Sequence, residues 1–131
     1  MDDVVIVGGG IIGAATAYFL SIEGRKVKVI ERDPTYKTAS FPLSLGGFRR
    51  QFYQKENILL GKFARDFIFQ IPELLKTEKN PNPTASMVPN GYLLMFGPDD
   101  AEEQYRALKN HKECDAGTKN IKGSELNKIF P

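Results

Sequence analysis

The fold of this chain is decided by residues 4–13, which read Val-Val-Ile-Val-Gly-Gly-Gly-Ile-Ile-Gly. The four β-branched residues at the start favour a buried strand. Gly8, Gly10 and Gly13 complete the pattern G-x-G-x-x-G, and an apolar-periodic stretch typical of a helix follows them. An isolated match to this pattern is weak evidence, but the order strand, glycines, helix is the context in which it binds a dinucleotide.

Each glycine has a separate predicted role. Gly8 lets the chain turn sharply out of the strand, and Gly10 has no side chain to keep a pyrophosphate from the backbone. Gly13 lets the helix lie close to the strand. The free N–H groups and the positive dipole end of the helix then face the phosphates. The plainer alternative is a glycine-rich turn that binds nothing.

The second half of the dinucleotide signature follows the helix. Gly24 is the predicted C-terminal cap of the helix, and residues 26–31 alternate as a second strand that finishes on a carboxylate. Glu31 follows Gly13 by 18 residues, close to the roughly 20 expected for the acid that binds a ribose hydroxyl. Because this carboxylate repels a 2′-phosphate, NADP is disfavoured as the ligand.

Composition narrows the class of protein. The 131 residues are 41% hydrophobic and 26% charged with a net charge of +2, as in soluble globular domains, so no nucleic-acid partner is implied. No apolar run approaches the roughly 20 residues of a membrane span. The single cysteine, Cys114, excludes an internal disulfide. Met1 stands almost directly before the first strand, so we expect either a protein that stays where it is made or a missing native N-terminus.

Downstream segments predict further elements. An amphipathic helix begins at about Asn57, and Pro72 is expected to kink or restart it. Residues 92–96 are apolar and aromatic and predict a strand. His111 and Cys114 are interpreted as surface residues, since a zinc site needs about four ligands and no others cluster nearby. Taken alone, the double glycine at 46–47 and the arginines after it indicate a turn with a solvated basic pair.

Residues 4–33 joined to 39–52 resemble the FAD-dependent oxidoreductases of the D-amino-acid oxidase, glycine oxidase and sarcosine oxidase superfamily. The shared features are the opening V-V-I-V-G-G-G-I-I-G-A, the Glu-Arg pair at 31–32, and the loop over residues 39–49. Later pieces look closest to a branch associated with assembly of mitochondrial respiratory complex I. Only the first fifty or so residues carry specific motifs.

The resemblance implies a role for each matched residue. The positions that it implies for cofactor binding are Gly8, Gly10, Ile11, Ile12, Gly13, Glu31, Arg32, Ser40, Ser44, Leu45, Gly46 and Gly47. The glycines and the Ile11 and Ile12 amides hold the pyrophosphate, Glu31 binds the adenosine ribose and Arg32 flanks the adenine. The positions from 40 to 47 line the route to the isoalloxazine. Arg49 is the candidate catalytic residue, because a cation beside the flavin ring stabilises its reduced form. No metal is expected.

The implied chemistry is oxidation of a C–N bond in a small-molecule amine or amino acid, with the hydride passing to flavin. Some relatives tether FAD through a histidine before the double glycine. Leu43 stands at about that place here, so FAD is expected to bind non-covalently. This context makes a functional role for the Gly46–Gly47 loop the favoured interpretation.

The expected fold is α/β, with an incomplete Rossmann-like FAD-binding βαβ unit of the glutathione-reductase type and added helices. Residues 1–80 are predicted to be the N-terminal part of the FAD-binding domain, and residues 81–131 the truncated start of a substrate domain. Proteins of this superfamily run to several hundred residues. We therefore expect an N-terminal fragment that is inactive on its own.

Two alternatives stay open at the level of sequence. One is a non-catalytic, FAD-containing assembly factor with respiratory complex I assembly proteins as partners. The other is an NAD-dependent dehydrogenase, which the early departure from a βαβαβ pattern disfavours. From the resemblance we expect a mitochondrial location, and otherwise a cytoplasmic one, since this chain shows no presequence.

Overall fold

A computed structural model describes residues 3–129 of the chain and divides it into two compact units. The first unit ends at Phe48, and the second begins at Arg49. This division concerns the packing within the chain. The domain boundary predicted at residue 80 is not tested by this division and stays a prediction.

The first unit is a βαβ element. Strand β1 (Val4–Val7) leads into helix α1 (Ile11–Ile22), and strand β2 (Val27–Ile30) returns parallel to β1. The register pairs Val4 with Val27 and continues to Val7 with Ile30. A helical crossover between adjacent parallel strands is the Rossmann-like unit that the sequence predicts, and the two-stranded sheet confirms that it is incomplete.

The end of α1 is fixed by its backbone. The Gly24 N–H donates to the Ser21 carbonyl at 3.0 Å, and the Arg25 N–H donates to the Leu20 carbonyl at 3.0 Å. Gly24 has a φ of +80°, in the left-handed region that favours glycine. Together these are the paired bonds of a Schellman motif, so the predicted glycine cap is confirmed.

Only one face of the small sheet is covered. Ile6 lies on the face that packs against α1, whereas Val5 and Val7 point to the other face and Val7 is 85% exposed. No described residue of the first unit is buried. A parallel sheet normally has both faces covered, so this face has the character of an unfinished domain.

The second unit is helical. Its α-helices are α2 (Lys55–Leu74), α3 (Ala101–Glu113) and α4 (Gly123–Ile129), and a short 3-10 helix (Pro98–Asp100) precedes α3. A small core forms where Ile58 of α2 meets Cys114 and Ala116 just beyond α3, with the partly buried Phe52 packed against them. Helix α2 begins two residues before the predicted start.

Three expectations for this unit need comment. Pro72 lies in the last turn of α2, which ends two residues later, so the proline helps to end the helix rather than bend its middle. Residues 92–96 do not form the predicted strand, because the only described strands are β1 and β2, which pair with each other. An apolar run without a neighbouring strand has no ladder to join. Among the described helices, none has the length and apolarity needed to cross a membrane.

The prediction that His111 and Cys114 are surface residues is wrong. Both are buried, and His111 is only 7% exposed. Its Nε2 lies 2.7 Å from the Phe52 carbonyl oxygen, 59 positions earlier in the chain. Since a carbonyl only accepts, Nε2 carries the proton and donates it. The sequence of α3 contains few apolar residues, so its pattern did not predict that this end of the helix is buried.

Candidate functional site: a glycine turn beside a fixed carboxylate

The glycine turn between β1 and α1 begins with a backbone conformation that favours glycine. Gly8 has a φ of +99°, in which an L side chain is strained. Its N–H donates to the Ile30 carbonyl at 2.8 Å, which extends the parallel ladder one step beyond β1. The chain therefore leaves the sheet abruptly at Gly8, as the sequence predicts.

Gly13 is the point of closest approach between helix and turn. A Cβ on this residue would lie 1.9 Å from the Gly8 carbonyl oxygen and 3.4 Å from Cγ2 of Ile6. No side chain fits within 1.9 Å of a backbone atom. The absent side chain of Gly13 is therefore what allows α1 to pack onto β1.

Gly10 has open space where its side chain would be. A Cβ there would meet no atom within 4 Å, and its backbone is extended with φ −61° and ψ −177°. The first intrahelical donor nearby is the Ala14 N–H, which bonds the Gly10 carbonyl at 2.8 Å. Within the described residues, the Ile11, Ile12 and Gly13 amides have no acceptor, and Gly10 provides no side-chain cap. Unpaired amides above open space at a helix N-terminus suit a phosphate anion.

Glu31 is fixed against this turn by the backbone. Its Oε2 accepts the Gly9 N–H at 2.6 Å, and its Oε1 accepts the Asp33 N–H at 2.8 Å. These two bonds, the Asp33 bond foremost, hold the pKa of the Glu31 carboxyl below its ordinary range. A carboxylate offers about four lone-pair sites, so roughly two stay available for hydroxyl donors of a ribose.

Two residues beside Glu31, Gly9 and Tyr36, were not among the predicted cofactor-binding residues. A Cβ on Gly9 would lie 2.8 Å from the Tyr36 hydroxyl oxygen and 3.3 Å from Cβ of Glu31. Tyr36 also has a φ of 56°, which is uncommon for a residue with a side chain. Gly9 occupies the unrestricted position of G-x-G, and Tyr36 lies outside the pattern. The motif therefore gave no signal for either residue.

The loop over residues 40–47 forms its own local turn. The Ser44 hydroxyl donates to the Phe41 carbonyl at 2.8 Å and accepts the Gly46 N–H at 3.3 Å. Gly46 has a φ of +69°, so the first glycine of the pair is required by the backbone. Ser40, Leu45 and Gly47 are exposed.

The two predicted basic residues lie in different units. Arg32 follows the fixed Glu31 and is exposed. Arg49 opens the second unit, with its guanidinium carbon 5.3 Å from the Phe52 ring centroid. Its ring contact is a cation–π interaction that leaves the positive charge available. The structure therefore unites Gly8–Gly13 with Glu31, and it leaves the roles of the 40–47 loop and Arg49 as predictions.

The described residues contain no group of three or more His, Cys, Asp or Glu side chains placed to hold a metal ion. The one histidine, His111, belongs to the second unit, where its Nε2 donates a hydrogen bond to the Phe52 carbonyl oxygen. The sequence has no histidine before His111, so the stretch around Leu43 itself contains none to tether a cofactor.

Comparison with known proteins agrees with this geometry. The family model described as FAD dependent oxidoreductase matches residues 3–131. FAD-dependent oxidoreductase domain-containing protein 1 of Xenopus laevis is 40% identical over 137 residues, which cover 98% of this chain and 27% of that protein. Its counterpart in Bos taurus is 37% identical over 135 residues, covering 99% of this chain and 28% of that protein.

The chain thus spans little more than a quarter of the length of these relatives. A shorter match joins 26% of the chain to squalene monooxygenase SE2 of Panax ginseng, at 62% identity over 34 residues. No solved structure matches the chain significantly.

Proposed function

Because the chain belongs to the FAD dependent oxidoreductase family, we propose that it forms the ADP-binding part of a flavoprotein that oxidises a C–N bond of an amine or amino acid. FAD is the cofactor of this family, so the nicotinamide alternative is set aside. The observation that carries the proposal is the glycine turn, whose unpaired amides lie above the open space at Gly10. The amine or amino-acid substrate is proposed from the resemblance of residues 4–33 and 39–52 to oxidases that act on such substrates.

The residues present fit the adenosine and pyrophosphate portions of FAD. The Ile11 and Ile12 amides and the bare backbone of Gly10 would hold the pyrophosphate. Glu31, already oriented by the Gly9 and Asp33 amides, would accept hydroxyl protons from the ribose. When bound, FAD supplies the capacity to accept a hydride from the substrate.

The remaining residues have proposed roles that depend on the rest of the cofactor. The loop containing Ser44 and Gly46 would line the route toward the flavin ring. Arg49 would supply positive charge there, since its guanidinium has no ion-pair partner among the described residues. A fixed cation stabilises negative charge that develops during hydride transfer, and it needs no reorganisation to do so.

The first test is the visible absorption spectrum of the purified chain after incubation with FAD and removal of free ligand. We expect flavin bands to survive and the Gly10→Val variant to lose them, because its side chain fills the space above the turn. A Cβ at Gly10 meets no atom within 4 Å and the position needs no unusual φ, so we expect the fold to persist. Gly123→Val is the matched control, since Gly123 also faces open space and lies far along the chain in α4.

Two results would contradict the binding proposal. One is a wild-type chain that is folded by circular dichroism and colourless, and the other is a Gly10→Val variant that retains full FAD affinity. The substrate is tested separately in a flavoprotein of the relatives' length that carries this segment. Bleaching of its flavin bands by sarcosine, glycine or D-alanine without oxygen is expected. Flavin that no amine reduces would overturn C–N oxidation and favour a non-catalytic FAD protein.

A further inference from the structure

The loop after β2 brings a tyrosine hydroxyl back over the glycine turn. Tyr36 lies outside the G-x-G-x-x-G pattern, yet its hydroxyl oxygen would lie 2.8 Å from a Cβ on Gly9. The same Cβ would be 3.4 Å from Oε2 of Glu31. The hydroxyl and the carboxylate therefore share one small region beside the middle glycine.

A dedicated turn holds Tyr36 in this place. The Asp33 carboxylate accepts both the N–H and the hydroxyl of Thr35, at 2.9 and 2.6 Å, and the Asp33 carbonyl accepts the Tyr36 N–H at 3.1 Å. These bonds hold Tyr36 at a φ of 56°. A left-handed conformation in a residue with a large side chain is strained and persists only where the surroundings fix it. Such a conformation at the edge of a ligand site points to a function.

The Tyr36 hydroxyl has unused hydrogen-bonding capacity. Among the described residues, none forms a hydrogen bond with this hydroxyl, and Tyr36 is 38% exposed. Glu31 is ionised and can only accept, whereas a phenol hydroxyl can also donate. Each hydroxyl of a ribose diol can donate and accept a hydrogen bond. The carboxylate can accept from the diol and the phenol can donate to it.

We propose that Tyr36 is a second contact for the adenosine ribose of FAD, with its hydroxyl donating to the diol while Glu31 accepts from it. This inference rests on the proposed function. It assigns a ribose-binding residue that the glycine pattern does not include. It also explains why the middle position of G-x-G is glycine here: any side chain at position 9 would meet the Tyr36 hydroxyl.

The test measures FAD affinity of the purified chain by flavin fluorescence, for wild type and Tyr36→Phe. Loss of one hydrogen bond between neutral groups should weaken binding about 3- to 10-fold. Tyr105→Phe is the matched control, because it removes a phenol hydroxyl from the exposed face of α3 and should leave affinity unchanged. The thermal midpoint of the FAD-free Tyr36→Phe variant should equal that of the wild type, since the hydroxyl bonds nothing within the described chain.

The same measurement with FAD analogues separates a ribose contact from a merely structural effect. With FAD whose adenosine lacks the 2′- or the 3′-hydroxyl, the ratio of variant to wild-type dissociation constants should fall to about 1 for one of the two analogues. Gly9→Ala gives a second approach, because its methyl group displaces the hydroxyl. The affinity losses of Gly9→Ala and Tyr36→Phe should therefore not add in the double variant.

The possible failures are distinguishable. If the wild-type chain binds FAD and Tyr36→Phe binds it equally well, only the Tyr36 assignment is overturned. A loss that persists undiminished with both deoxy analogues overturns it as well, since the hydroxyl then acts elsewhere. If the folded wild-type chain binds no FAD, the proposed function fails and this inference fails with it.

Discussion

The two units of this chain are built by opposite means. In the first unit no described residue is buried, and the geometry is set by backbone hydrogen bonds and by side chains that are absent, as at Gly8 and Gly13. The second unit has a small core in which Ile58 is fully buried against Cys114 and Ala116. The geometry of the first unit depends on glycines that lack a side chain, whereas that of the second unit depends on side chains packed in a core.

This difference predicts different sensitivities to mutation. Adding a methyl group at the closely packed Gly13 should damage the first unit and its binding of FAD. Removing methyl groups should damage the second unit through the cavity that they leave. The proposed chemistry follows the same division, since the nucleotide contacts come mainly from backbone and Glu31, whereas Arg49 belongs to the helical unit.

The largest expected effect is in the core of the second unit. Ile58→Ala removes three carbons from a fully buried side chain and should lower the free energy of unfolding by about 2–5 kcal/mol. Thermal or urea unfolding followed by circular dichroism measures the loss. Leu60→Ala on the same helix is the control, because Leu60 is 65% exposed and should cost far less. Equal losses in the two variants would show that α2 packs through a different face.

The next effect is in the glycine turn. Gly13→Ala places a methyl group 1.9 Å from the Gly8 carbonyl oxygen, so helix and strand must separate. Overpacking of this kind costs about 1–3 kcal/mol, and the displaced turn should also lose FAD affinity. Unfolding curves and flavin fluorescence measure the two consequences. Gly123→Ala, in open space at the start of α4, is the matched control. Unchanged FAD affinity in Gly13→Ala would show that cofactor binding does not depend on the close packing of helix and strand at Gly13.

Local features of the fold were predictable from sequence. The glycine turn, the cap at Gly24 and the carboxylate at Glu31 each depend on neighbours within one βαβ unit and on conformations that few residues other than glycine adopt. The pattern states those requirements directly. The family model and the relatives agree with the FAD assignment that the family resemblance implied.

The failures all involve partners that are distant in sequence. Burial of His111 depends on the Phe52 carbonyl 59 positions away, and the run over 92–96 lacks the neighbouring strand that its composition alone suggested. The position of Tyr36 beside the glycine turn is not predictable from the sequence for a related reason. Its importance comes from a left-handed turn that returns it to Gly9, and residue type gives no sign of such a turn when the residue is a tyrosine.

The smallest expected effect concerns the charge of Glu31. The Asp33 and Gly9 amides lower the pKa of this carboxyl in the folded chain, so its ionised form stabilises the fold. That contribution is fully present above the pKa of an unfolded glutamate, and it is lost as the pH falls through the lower folded-state pKa. The free energy of unfolding of wild type should therefore drop across this acidic window.

Glu31→Gln should flatten that dependence, since the amide does not titrate. Urea unfolding at a series of pH values measures the slope for the variant and for the control Glu23→Gln, which changes a carboxylate of the same unit at the end of α1. A Glu31→Gln slope equal to that of wild type would mean that the charge of Glu31 adds nothing to the stability of the turn. The charge of Glu31 would then serve only to bind the ligand. The first unit would depend on backbone hydrogen bonds even more than its comparison with the second unit implies.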